Sequence, residues 1–146
     1  MKYIKLILIT LLLLGCRAKS NVEEKVCKGK LATYTESITY KAKEDKVSEM
    51  VIEKRVEYSR LGYNSESVKK FDESYKGEYE GIKGVEYRSE VKGKELIIRI
   101  TIKAEEVELL EVTQRGILSV SETEKLKYIS LSKSMKVREK SNFICK

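Results

Sequence analysis

The residues of this 146-residue chain that could do covalent or acid–base chemistry are three cysteines, one knot of carboxylates and serines near lysines. Glu105, Glu106, Glu108 and Glu111 form the knot, and carboxylates in such numbers serve divalent-cation binding or paired-carboxylate hydrolysis. Their spacing matches no EF-hand loop, which needs alternating oxygen ligands and a central glycine. Acids are also favoured in the first turn of any helix by the macrodipole, and that plain reading is preferred. Ser130 with Lys133, or Ser134 with Lys133, has the elements of a Ser-Lys dyad, but both residue types are too common here for the coincidence to count. Histidine is absent. That removes the commonest general base, the Ser-His and Cys-His nucleophile pairs and the commonest zinc ligand. No catalytic residue, metal set or cofactor is therefore assigned.

The first cysteine has a different context. Met1–Lys5 carries two lysines, and the run to Leu14 is apolar apart from Lys5 and Thr10. A helix over Leu6–Leu14 would extend only about 13 Å, against a hydrocarbon core of about 30 Å. The segment thus reads as the apolar part of a signal peptide and not as a membrane span. Leu13-Leu14-Gly15-Cys16 follows and resembles the bacterial lipobox, with Leu14 where Ala or Ser is usual. That likeness implies cleavage before Cys16 and a diacylglycerol thioether on its sulfur, with fatty acyl chains anchoring the mature chain. Two or more such chains hold stably, at ~0.8 kcal/mol per buried CH₂. The expected organisation is a signal peptide over 1–15, a lipidated Cys16 with a polar tether to residue 26, and one domain over 27–146. The expected site of action is the outer side of a bacterial membrane, facing the periplasm or the cell exterior.

Cys27 and Cys145 remain. An exported chain with two cysteines has one available intramolecular bridge, and this one would tie the first strand to the last residues. Two reduced thiols are the alternative; the bridge is preferred. No Cys-x-x-Cys pair is present, so a redox role is not indicated.

The elements that would position these residues can be read from periodicity. Ala32, Tyr34, Glu36, Ile38 and Tyr40 alternate along one strand, and Met50, Ile52, Lys54, Val56 and Tyr58 along the next. A short loop at Glu44-Asp45-Lys46 pairs Tyr40 with Met50, Ile38 with Ile52 and Tyr34 with Val56. It also sets Glu36 against Lys54, an opposite-charge pair in an apolar face. A second hairpin has Val85, Tyr87, Ser89 and Val91 opposite Leu96, Ile98, Ile100 and Ile102, turning at Gly93-Lys94 as a type II′ turn requires. Between the hairpins, Asn64 or Ser65 caps a helix bearing Val68, Phe71, Tyr75 and Tyr79. A short acidic helix is expected over Ala104–Glu111, and a capping box at Ser121-x-x-Glu124. A last helix, capped by Ser130, runs from Leu131 to Ser141, with Asn142 as its left-handed terminus and Phe143–Cys145 returning to the sheet. The fold class is α+β: two layers, an antiparallel sheet built from two β-hairpins with helices packed on it.

Charge is distributed unevenly. The chain has 30 Lys+Arg and 23 Asp+Glu, yet the positive excess sits almost wholly in residues 125–146. There Lys133, Lys136 and Lys140 share a helical face. A basic face beside the tether is a candidate contact for anionic lipid or an envelope polymer; a merely solvated face is the plainer alternative. Tyr34, Tyr40, Tyr58, Tyr75, Tyr79 and Tyr87 fall on faces expected to be buried, where core packing is preferred to an aromatic ligand groove.

Tyr79-Glu80-Gly81-Ile82-Lys83-Gly84-Val85-Glu86 leading into a strand, Ile129-Ser130-Leu131 opening the last helix, and Asn142-Phe143 near the end resemble the YehR-like family of small bacterial lipoproteins. The likeness covers roughly Gly29 to Lys146. It implies an α+β lipoprotein domain of unassigned biochemical role and carries over no catalytic residues. The expectation is a lipid-anchored, non-catalytic module that binds a partner protein, an envelope polymer or a small ligand. An envelope enzyme using carboxylates or a Ser-Lys pair is the alternative. Nucleic acid is not an expected partner of an exported domain.

Overall fold

The computed structural model describes residues 21–146, so the expected signal peptide, Cys16 and the start of the expected tether lie outside the described residues. Strands β1 (Glu23–Lys30), β2 (Tyr34–Lys43) and β3 (Lys46–Glu57) run as a meander into helix α1 (Ser65–Gly77). Strands β4 (Val85–Lys92) and β5 (Glu95–Lys103) form a hairpin, followed by α2 (Leu109–Gln114), α3 (Leu131–Lys140) and the two-residue β6 (Ile144–Cys145). The six strands make one sheet in the order β4-β5-β3-β2-β1-β6, antiparallel throughout. The α+β fold is as expected.

Both hairpins take the expected register. Tyr40 faces Met50, Ile38 faces Ile52, Tyr34 faces Val56 and Glu36 faces Lys54. The register shifts by one between Lys41 and Ala42, a bulge that lets Glu44 and Asp45 close the turn with φ of 50° and 68°. In the second hairpin Val91 faces Leu96, Tyr87 faces Ile100 and Val85 faces Ile102, across Gly93 at φ 62°.

Several expectations need correction. Helix α1 ends at Gly77, short of Tyr79, and Ala32 and Tyr58 fall just outside β2 and β3. Glu23–Val26 are strand, paired with Thr39–Ala42, not tether; a strand with one open face tolerates polar residues there. The acidic helix starts later than expected, at Leu109. Its position follows the apolar pair Leu109 and Val112, both buried and spaced to face one way. Glu105 and Glu106 instead belong to a turn that packs on Gly84, where φ is +76° and a Cβ would lie 2.7 Å from Glu106 Cβ. The capping box falls at Ser119 and Glu122, not at Ser121 and Glu124, because Glu122 turns inward while Glu124 turns out to Lys133.

The core lies between one face of the sheet and the helices. Ile38, Tyr40, Met50, Leu96, Ile98, Ile100 and Ile102 are its fully buried floor. Cys27 and Cys145 stand opposite each other in register and are joined by a disulfide. Backbone hydrogen bonds between Val26 and Lys146, at 3.0 and 2.9 Å, continue the pairing. Phe143 fits over Gly29, whose missing side chain leaves room for the ring. The two ends of the domain are thereby clamped to one edge.

Candidate functional site

All the helices pack on the face that holds Ile38, Tyr40 and Met50. Alternation sends the neighbouring residues to the opposite face, and among the described residues no helix or loop covers it. Its cross-strand rows follow from the register. One row reads Ile144, Lys28, Ser37, Glu53, Arg99, Arg88; the next reads Lys30, Thr35, Arg55, Ile97, Glu90. A third, Val26, Thr39, Val51, Thr101, Glu86, is a flat strip of β-branched side chains ending in one acid.

Cations outnumber anions on the first two rows. Glu53 serves two arginines at once: Arg99 Nη2 lies 2.7 Å from Glu53 Oε2, and Arg55 Nη2 lies 2.9 Å from Oε1. The Arg99 guanidinium, helped by Arg55 and opposed by partial burial, holds the Glu53 carboxyl below the usual carboxylate range. Arg88 stands directly across from Arg99, a like-charge pairing that costs free energy in isolation; its contact with Glu86 is a long 3.6 Å. Among the described residues Lys28 and Lys30 have no ion-pair partner. With Arg55, Thr35, Ser37 and Asn142, and with Glu36 and the arginine-paired Glu53 as the acids, they border an open depression of about 670 Å³. Guanidinium groups with forked donors beside hydroxyls suit carboxylate or phosphate oxygens. The chemistry offered is anion binding.

The residues singled out by sequence are dispersed. Lys133 is paired with Glu124 at 2.6 Å and donates to the Thr123 carbonyl at 3.3 Å. Lys136 and Lys140 are exposed on α3. That helix starts at the β2–β3 turn, near the beginning of β1, and rises away from it by about 1.5 Å per residue, so Lys140 lies well away from the start of β1. Ser130 donates to Asp45 Oδ2 at 2.7 Å, and with Lys133 turned to Glu124 the two do not pair. Glu106 meets Lys103 at 3.9 Å and Glu111 meets Arg115 at 3.0 Å. No group of three or more acids or cysteines converges to hold a metal among the described residues. No described helix is long and apolar enough to cross a membrane.

The tyrosines act as a brace between α1 and the sheet. Rings of Tyr63, Phe71, Tyr75, Tyr79 and Tyr87 follow one another at 5.3–5.8 Å, within the range of favourable aromatic pairs. Tyr87 donates to Asp72 at 2.6 Å and Ser89 to the same carboxylate at 2.7 Å, fastening α1 to β4. Tyr40 and Tyr79 are buried as expected, while Tyr34, Tyr58, Tyr75 and Tyr87 are half-buried. Lys54 donates to Tyr75 Oη at 2.7 Å and lies 3.7 Å from Glu36. Burial favours its neutral amine, but the Tyr75 hydrogen bond and Glu36 outweigh it and raise Lys54 above the ordinary lysine range.

Two features escaped sequence reasoning. Glu122, 1% exposed, meets Arg138 at 2.9 Å beneath α3, and Arg138 reaches Tyr40 Oη at 3.4 Å. Burial pushes the Tyr40 phenol up to about 12 against the pull of that guanidinium. The bare face was the other. Its signal is present in the sequence, because Lys28, Glu53, Arg55, Arg88 and Arg99 all occupy the polar phase of their strands.

The NMR structure of the YehR protein from E. coli superposes with a TM-score of 0.76 at 23% identity, over 87% of this chain and 92% of that one. An NMR structure of a protein from Streptococcus pneumoniae TIGR4 superposes with a TM-score of 0.59 at 13% identity, over 88% and 87%. At these identities the likeness is one of fold. No curated protein matches the sequence. The family described as a protein of unknown function (DUF1307) matches residues 23–144, from the first residue of β1 into β6, and the chain belongs to that YehR-like family, whose biochemical role is unassigned.

Proposed function

We propose that this chain is a lipid-anchored, non-catalytic module of the bacterial envelope that binds an anionic envelope polymer on the bare face of its sheet. The observation that carries the reading is the surplus of cations there. Glu53 is shared between Arg55 and Arg99, and Arg88, Lys28 and Lys30 stand beside them. An anion arriving at this row relieves the Arg88–Arg99 repulsion and adds charge-assisted hydrogen bonds. Anchoring rests on Leu13-Leu14-Gly15-Cys16 and on the short chain between Cys16 and Glu23, which spans at most about 20–25 Å. Such a domain works close to its membrane.

A photo-crosslinking side chain in place of Thr39, in the middle of the bare face, tests the binding reading in living cells. The expected product is a covalent adduct with polymer, reduced severalfold by Arg99→Glu with Lys28→Glu. A protein adduct as the dominant product, or equal yield from the same group placed at Glu73 on α1, would overturn the assignment of polymer to this face. Mass spectrometry of the mature N-terminal peptide tests the anchor separately: the expected species begins at Cys16 and carries acyl chains.

A further inference from the structure

We infer that the end of the domain bearing the β2–β3 turn and the Glu124–Lys127 turn seats directly on an anionic lipid bilayer, with Leu126 entering it. The inference rests on the lipid-anchored reading above and adds an orientation and a contact residue to it. Glu23 pairs with Ala42, so the described chain enters the sheet at the end where β2 turns into β3. Val22, 57% exposed, lines an open groove of about 870 Å³ at that end together with Lys43, Lys46, Leu126 and Lys127. Only six residues separate Cys16 from Glu23, and a span of at most about 20–25 Å keeps this end of the domain nearest the anchor.

The turn has the form of a device for presenting Leu126. Glu124 N–H donates to the Tyr128 carbonyl at 2.9 Å, and Lys127 N–H to the Glu124 carbonyl at 2.9 Å. Lys125 and Leu126 at its tip both have left-handed backbone, with φ of 51° and 57°. A branched apolar residue is rarely found there, and glycine or asparagine would hold the same turn with less strain. Leu126 is 37% exposed at this tip, flanked by two lysines. An apolar side chain between cations matches the layering of a bilayer surface, acyl chains below and anionic headgroups around. Within the groove Lys43, Lys46 and Lys127 outnumber Glu44 and Glu105.

The chain contains no tryptophan, so a single introduced indole reports on its surroundings alone. The full lipidated protein is reconstituted into phosphatidylglycerol-containing vesicles with brominated acyl chains, as Leu126→Trp and, as the distal control, Val91→Trp. Val91 is exposed beside the Gly93-Lys94 turn, at the other end of the sheet. The expected result is quenching of Leu126→Trp at least threefold stronger than of Val91→Trp. Adding Lys125→Gln and Lys127→Gln should lower the ratio of seated to unseated protein by about fivefold for each lysine removed. Equal quenching at the two positions, with acyl chains found on Cys16, would overturn the seating and leave the anchor standing. Absence of acyl chains on Cys16 would overturn both.

Discussion

Asp45 caps a helix that begins 86 residues later in the chain, at Leu131. Its carboxylate accepts the Ser130 hydroxyl at 2.7 Å and the Ser132 amide at 2.6 Å, and its carbonyl accepts the Leu131 amide at 2.8 Å. The tip of the β2–β3 hairpin thus supplies acceptors to the orphan N–H groups at the start of α3. Burial opposes ionisation of Asp45, but the hydrogen bonds from Ser130 and Ser132 outweigh it and hold the carboxyl below the usual range.

Asp45→Ala should therefore destabilise the domain by about 1–2 kcal/mol, measured by urea denaturation at neutral pH. The pH dependence has a definite sign. A carboxyl depressed on folding contributes stability that is complete above its unfolded value, near 3.9, and that is lost as pH falls through its folded value. Asp45→Asn, which tolerates the left-handed backbone, should flatten the acid limb of the stability profile below about pH 4. An unchanged acid limb would show that the charge of Asp45 does not matter.

Reduction of Cys27–Cys145 should cost about 3–5 kcal/mol, since the bridge closes a loop of more than a hundred residues. The loss should be local first. Amide exchange at Val26 and Lys146, whose backbones pair beside the bridge, should accelerate before exchange in β3 or β5. Simultaneous acceleration in all strands would mean that β6 does not detach as a unit.

Glu122 and Arg138 form a buried pair, so removing one partner strands the other. Arg138→Met should destabilise by about 3 kcal/mol. Adding Glu122→Gln should recover much of that, because glutamine has no charge to bury and keeps an acceptor for the Ser119 amide, now 3.0 Å from Glu122 Oε2. Chemical denaturation of the two single variants and the double variant reads the coupling directly.

Gly77 and Gly84 should respond to alanine in opposite directions. Gly77 closes α1 with open space around its Cα, and Gly77→Ala should stabilise by roughly 0.5 kcal/mol. Gly84 has φ +76°, and a Cβ there would meet the Glu106 backbone at 3.0 Å. Gly84→Ala should destabilise by about 1–3 kcal/mol, measured by thermal unfolding of both variants.

Short-range pattern settles a large part of this fold. Side chains alternate with a period of two and a short turn leaves little freedom of register. Glu36 opposite Lys54, Tyr40 opposite Met50 and Val91 opposite Leu96 were therefore legible, as were Asn64 and Ser130 as caps. Acylation of Cys16 is an expectation from the lipobox resemblance and concerns residues outside those described. The sequence by itself did not determine which strands lie side by side when they are distant along the chain. The pairing of β3 with β5 and of β1 with β6, the cap from Asp45 to α3, and the Glu122–Arg138 contact each join segments with no shared local signal. Only tertiary structure decided that all the helices lie on one face, because that choice depends on where the whole apolar surface of the sheet is buried. That decision left Arg55, Arg88 and Arg99 together on the bare side, and it placed Leu126 beside the start of β1.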